Sequence, residues 1–159
     1  MMRRIIVGMS FCLFLMLVGI ANGIEPANST LGVTVERAWV RAMPPSTRNT
    51  AAYFALKNNG NANIVITGAS SDSAKEAQIH HSRDIDGYMS MERLESVALG
   101  PGETVEFTPG GIHLMLLGLE QVPAVGGTVN LCLLLTSGPA ICVDAPVRKS
   151  AAKNSHDHH

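Results

Sequence analysis

The stretch GGIHLMLLGL, Gly110 to Leu119, is among the most apolar in the chain, yet it places His113 and Met115 two residues apart. Side chains alternate faces along a β-strand. Read as a strand, the segment sends Ile112, Leu114 and Leu116 one way and His113, Met115 and Leu117 the other. The first set reads as core. The second sets an imidazole beside a thioether, a pair that a core does not require.

Outward from this segment the chain reads as short strands divided by turns, with no convincing amphipathic helix. VTVERAWVRAMPP gives a strand ended by Pro44 and Pro45, and TAAYFALKNNGNANIVITGAS gives two strands about a turn at Asn58 to Asn61. SSDSAKEA, Ser70 to Ala77, is a polar connection with room for one helical turn. QIHHSRD, GYMSMERL and SVALGPGETVEFTPGG follow, punctuated at DIDG, GPG and PGG. VNLCLLLTSGPAICVDAPV closes the series as a hairpin around TSGPA. About eight short strands with Gly/Pro turns at this spacing predict an all-β fold, a single-domain antiparallel β-sandwich or barrel.

The 159-residue length suits one domain. Residues 1–23 read as a signal peptide: Arg3 and Arg4, then the apolar run Ile5 to Ile20, then small residues at Ala21 to Gly23. That run is shorter than the ~20 residues a membrane-spanning helix needs. Cys12 lies inside it without a small-residue lipobox, which argues against lipidation. The expected organisation is a cleaved leader over residues 1–23, a β-sandwich over 24–147 and a disordered His-containing tail over 148–159. Removing Arg3 and Arg4 with the leader takes the formal net charge from −1 to −3. A mildly acidic domain without a basic stripe excludes nucleic acid as the expected partner. It contains no second long apolar run, so stable membrane insertion is not expected either.

Two cysteines survive processing, Cys132 and Cys142, on the two arms of the last hairpin. They either bridge, as an oxidising compartment allows, or remain two small buried residues; sequence does not fix the register that decides between these.

Methionine placement carries the functional argument. Met43, Met89, Met91 and Met115 are the four outside the leader, and three of them share short strands near histidines. Met89 and Met91 share a strand face, as His113 and Met115 do, while His80 alternates against Ile79. Thioether sulfur is a soft, neutral, non-titrating ligand that favours Cu(I) over Zn(II) or hard cations. Cysteine binds Cu(I) more tightly, but outside the cytosol free thiolates tend to become disulfides.

From His80, ten residues lead to Met91, twenty-one more to His113 and one more to Met115. This His-x10-Met-x21-His-x-Met spacing resembles the signature of the PCuAC family of periplasmic copper chaperones. AWVRAMPPSTRNTAAYFALKNNG and LGPGETVEFTPGGIHLMLLGL resemble that family's opening strands and its His-Leu-Met strand. The resemblance runs from about Val33 to Val147. It implies a cupredoxin-like β-sandwich that binds one Cu(I) through His80, Met91, His113 and Met115. It also implies a monomer in the periplasm that delivers copper to the CuA centre in the copper-bearing subunit of a cytochrome c oxidase, alongside thiol-based assembly factors. The chain departs from the family after the first histidine, where HHSRD replaces an acidic residue and Met. His81 is then a spare ligand on the wrong face, Met89 an alternate donor on the right one, and His156, His158 and His159 a weaker second site suited to Cu(II).

Other functions rank below this one. A blue-copper electron carrier needs a thiolate beside its imidazoles, and neither Cys132 nor Cys142 has a His or Met close after it. A storage or resistance protein would use the same ligands, and a metal-free exported β-sandwich module would need none of them. No nucleophile elbow, HExxH or phosphate loop points to an enzyme. Trp39 reads as a core or tyrosine-corner-like anchor.

Overall fold

The computed structural model describes residues 29–30 and 32–149. The leader and the tail histidines His156, His158 and His159 lie outside the described residues. Eleven strands form in chain order: β1 (Ser29–Thr30), β2 (Val33–Arg41), β3 (Asn49–Asn58), β4 (Ile64–Ser71), β5 (Glu76–Ile85) and β6 (Tyr88–Arg93). They continue as β7 (Val97–Leu99), β8 (Thr104–Phe107), β9 (Ile112–Leu117), β10 (Thr128–Leu135) and β11 (Ile141–Arg148). The strand count exceeds the expected eight or so because SVALGPGETVEF divides into two short strands and Ser29–Thr30 adds a two-residue one. The described residues contain no helix, and none therefore that is long and apolar enough to cross a membrane. The polar connection after β4 makes a tight turn instead of a helical one. Ser71 Oγ accepts from the Ser73 N–H at 3.3 Å, and the Lys75 N–H is already taken by the Leu117 carbonyl at 3.0 Å.

The strands run β6-β5-β9-β8-β3-β2-β11-β10-β4-β7, with β9 also pairing β3 and β4 pairing β5 through Ala69 and Ala77. That last pairing closes the ladder on itself and leaves only β6 and β7 as edge strands on this path. This is the cupredoxin-like β-sandwich. Most pairings are antiparallel. Two short parallel ones, β2 with β11 and β8 with β9, depart from the all-antiparallel expectation. The first joins the opening and closing strands of the domain, and it sets Arg148 directly beside Arg41.

The interior follows the alternation. Leu114 and Leu116 are fully buried on β9, as are Ala52 and Leu56 on β3 and Leu131 and Leu133 on β10, with Phe54 stacked on Phe107 at 4.2 Å. Cys132 and Cys142 fall opposite each other and are bridged, S–S 2.01 Å and Cα–Cα 4.0 Å. The open choice between bridge and two buried thiols is thereby settled for the bridge.

One irregularity decides which residues face outward near the site. Between Glu36 and Trp39 the β2–β3 register slips, and Arg37 adopts φ 54. A bulge inserts one residue, and a one-residue slip moves every later side chain to the other face. Trp39 therefore sits opposite Tyr53 on the outer face instead of entering the main core. It packs there with Ala51, Tyr53 and Met115 in a separate small cluster. Trp39 is a buried anchor as expected, 5% exposed, but it belongs to this smaller cluster on the other side of the sheet from the main core.

Candidate metal centre

Strands β5, β6 and β9 are neighbours, with β5 between the other two. His80 on β5 pairs directly with His113 on β9, and Gln78 with Met115. On the other side Ser82 pairs with Met91 and Asp84 with Met89. Directly paired residues project from the same face of a sheet. His80, Met91, His113 and Met115 therefore share one face, as the spacing requires, and Met89 joins them one pleat further along. His81 does not: it pairs with Ile112 and Glu92 on the opposite face, where its Nδ1 accepts from Arg83 Nε at 3.1 Å. The four residues lie on β5, β6 and β9, toward the edge strand β6. The strands meet laterally, so donors from three strands come together along a row.

The two rings lie 6.1 Å apart between centroids, tilted by 46°. His113 is nearly buried, 4% exposed, and its Nδ1 lies 2.9 Å from the Gly111 carbonyl. A carbonyl only accepts, so Nδ1 carries the proton and Nε2 keeps its lone pair. The same carbonyl receives the Ser82 N–H at 3.1 Å, which fixes the turn before β9 to β5. Gly110 makes that turn possible, since its φ of 85 is one that side-chain-bearing residues rarely adopt.

His80 is oriented by a polar chain along its own strand. Gln78 donates its amide to Glu76 at 2.7 Å and so turns its oxygen to His80 Nε2, at 3.0 Å. That places the proton on Nε2 and leaves Nδ1 as a bare lone pair. Nδ1 is buried with no hydrogen-bond partner. Burying such an acceptor unpartnered is costly, and a cation is one group that relieves it. Each imidazole thus has one nitrogen held by the protein and one free, the usual arrangement of ligating histidines.

Burial lowers the His80 pKa from its ordinary value, and the neighbouring charges of His113 and then Arg93 lower it further. Among the described residues no group of three His, Cys, Asp or Glu side chains converges as a metal site. Met115 is partly buried against Trp39, Ala51 and Tyr53. Met91 and Met89 are 55% and 64% exposed on β6, where no packing explains them.

The reading of the sequence missed the supporting residues. Gln78 was detectable, since it lies two before His80 on the same face. Gly111, Tyr53 and Arg148 were not, because their roles depend on register. Arg148, expected in the tail, closes β11 and stacks its guanidinium over Trp39 at 4.7 Å.

Known proteins share the fold. The family described as "Putative lipoprotein LpqE-like" matches residues 33–147. "Putative lipoprotein Lxx21020" of Leifsonia xyli subsp. xyli is 30% identical over 137 residues, covering 86% of this chain and 81% of its own. Among solved structures, apo-DR1885 from Deinococcus radiodurans is 30% identical with a TM-score of 0.54, covering 91% of this chain and 97% of its own. The CuI-DR1885 structure is 33% identical with a TM-score of 0.55, covering 72% and 78%. The apo PCuAC domain of PmoF2, at 21% identity, matches in fold with a TM-score of 0.63 over 76% of this chain and 93% of its own.

Proposed function

This chain belongs to the LpqE-like family, with a PCuAC-type fold, and from that premise we propose that it is an exported Cu(I) chaperone. Its ligands are His80, Met91, His113 and Met115, and its recipient is the CuA centre of a cytochrome c oxidase, reached directly or through a thiol-based assembly factor. The carrying observation is the pair of facing imidazoles, each with one protected and one free nitrogen, on the same sheet face as two thioethers. The CuI-bound form of DR1885 supports the choice of ion. The lipoprotein names of the relatives support export, with the leader over residues 1–23 removed in the periplasm.

The chemistry follows from the donors. Two neutral thioethers and two neutral imidazoles hold a soft monovalent cation without cancelling its charge, so the ion remains transferable. Imidazole must be deprotonated to bind, which ties affinity to pH. Met91, exposed on an edge strand, releases first to an incoming thiolate. His113, buried and anchored to Gly111, releases last. Such ligand exchange needs no bond-making catalysis, so the protein acts as a carrier and not an enzyme.

Transfer separates delivery from storage. Cu(I)-loaded protein, mixed anaerobically with the purified soluble CuA-bearing domain of the organism's own oxidase, is expected to give up its copper within minutes. Copper that stays on the chain after the two are separated would identify a storage protein instead.

A further inference from the structure

The copper face extends beyond the ligands into an arginine-capped aromatic shelf. Trp39 and Tyr53 stack at 4.6 Å, and Tyr53 lies 6.4 Å from the His113 ring, so the shelf runs directly into the metal centre. Arg148 covers Trp39 at 4.7 Å and Arg41 covers Tyr53 at 5.2 Å. These two arginines are direct cross-strand partners. Like charges opposite one another on a sheet are unfavourable unless something offsets them. The salt bridges among the described residues are Arg37–Glu106 and Arg83–Glu92, and neither engages Arg41 or Arg148. Nor does either guanidinium donate a hydrogen bond among the described residues.

We infer that Arg41 and Arg148, held on Trp39 and Tyr53 beside His113, dock an acidic face of the protein that receives the copper. This rests on the delivery reading above. A guanidinium stacked on a ring keeps its N–H edges free and oriented for a carboxylate. Beside Arg148 a cleft of about 200 Å³, whose lining includes Arg37, Trp39, Tyr53, Pro109 and the carboxylate of Glu106, has room for one acidic side chain. Glu106 is held by Arg37 at 2.6 Å, so its charge is matched within the wall of the cleft and Arg148 is left to an incoming carboxylate. The position argues for a protein rather than a lipid surface: an occupant here lies against His113 and Met115, where ligand exchange must happen. In a domain with an acidic excess, two neighbouring unpaired cations select for the opposite charge and speed its approach.

The test is the rate of Cu(I) transfer from the full mature chain to the purified CuA-bearing domain, at about 20 mM and about 500 mM salt, where screening lengths differ several-fold. It compares the unaltered protein with Arg41→Glu/Arg148→Glu, and with Arg41→Gln/Arg148→Gln in case the reversal disturbs folding. For the unaltered protein we expect transfer to slow about tenfold at high salt, on the order of the electrostatic steering seen at complementary interfaces. Both variants should transfer slowly at either salt while binding Cu(I) as tightly as before. Transfer that is rapid but indifferent to salt and to both variants overturns the docking surface and leaves delivery standing. No transfer from the unaltered protein overturns delivery itself, and docking with it. Arginine-dependent sedimentation with phosphatidylglycerol vesicles, alongside unaltered transfer, would assign the shelf to a membrane and overturn the inference.

Discussion

His80 is the most informative single residue of the centre. Its Nε2 is tied to Gln78, its Nδ1 is buried without a partner, and its environment resists protonation. The sign of the effect on stability follows. In the unfolded chain this imidazole titrates near its ordinary 6.5, and in the folded chain it titrates lower. Between the two values the unfolded state takes up a proton that the folded state refuses, so the group's contribution falls as pH drops through that window and is level above it. The same shift favours copper, because protons compete less for a nitrogen that stays neutral. NMR titration of the apoprotein should place the His80 midpoint below 6.5, and His113→Gln should move it part of the way back, since burial is the larger cause. A midpoint at or above 6.5 would contradict this picture of the site.

At the scale of elements, two hairpins do different work. The β10–β11 hairpin is bridged by Cys132 and Cys142 across a sequence separation of 10, and it sets Arg148 beside Arg41 through its parallel pairing with β2. Closing a loop of that size restricts the unfolded chain by roughly 3 kcal/mol on the entropy model. Replacing both cysteines by serine should lower the denaturation free energy by about that amount, read from urea unfolding, while Cu(I) affinity stays unchanged. A loss of copper binding in that variant would mean the hairpin shapes the metal centre directly. The β5–β6 hairpin is the opposite kind of element. Every residue of β6 is exposed, so its methionines are free to engage and release an ion. The bulge in β2 is a third local device, since it alone turns Trp39 toward Tyr53.

At the scale of the whole molecule, what was legible in the sequence is what alternation and turn chemistry determine. The division of Ile112–Leu117 into a core face and a candidate ligand face was readable because this strand is short, regular and flanked by Gly111 and Gly118. The placing of Met89 with the ligands and His81 against them followed from the same period. What escaped was set by register between distant strands. The slip in β2 reversed Trp39, and the pairing of the first long strand with the last drew Arg148 out of the expected tail into the sheet. Neither leaves a trace in local composition.

The central claim is that two imidazoles and two thioethers on this face bind one Cu(I). An anaerobic Cu(I) titration of the mature chain without residues 150–159, against a chromophoric chelator, tests it beside Met91→Ala/Met115→Ala. The account expects one tight equivalent, with Zn(II) and Cu(II) bound poorly, and at least a hundredfold weaker Cu(I) binding in the variant, equivalent to about 2.7 kcal/mol. Binding that is absent, or that the two substitutions leave unchanged, would contradict it.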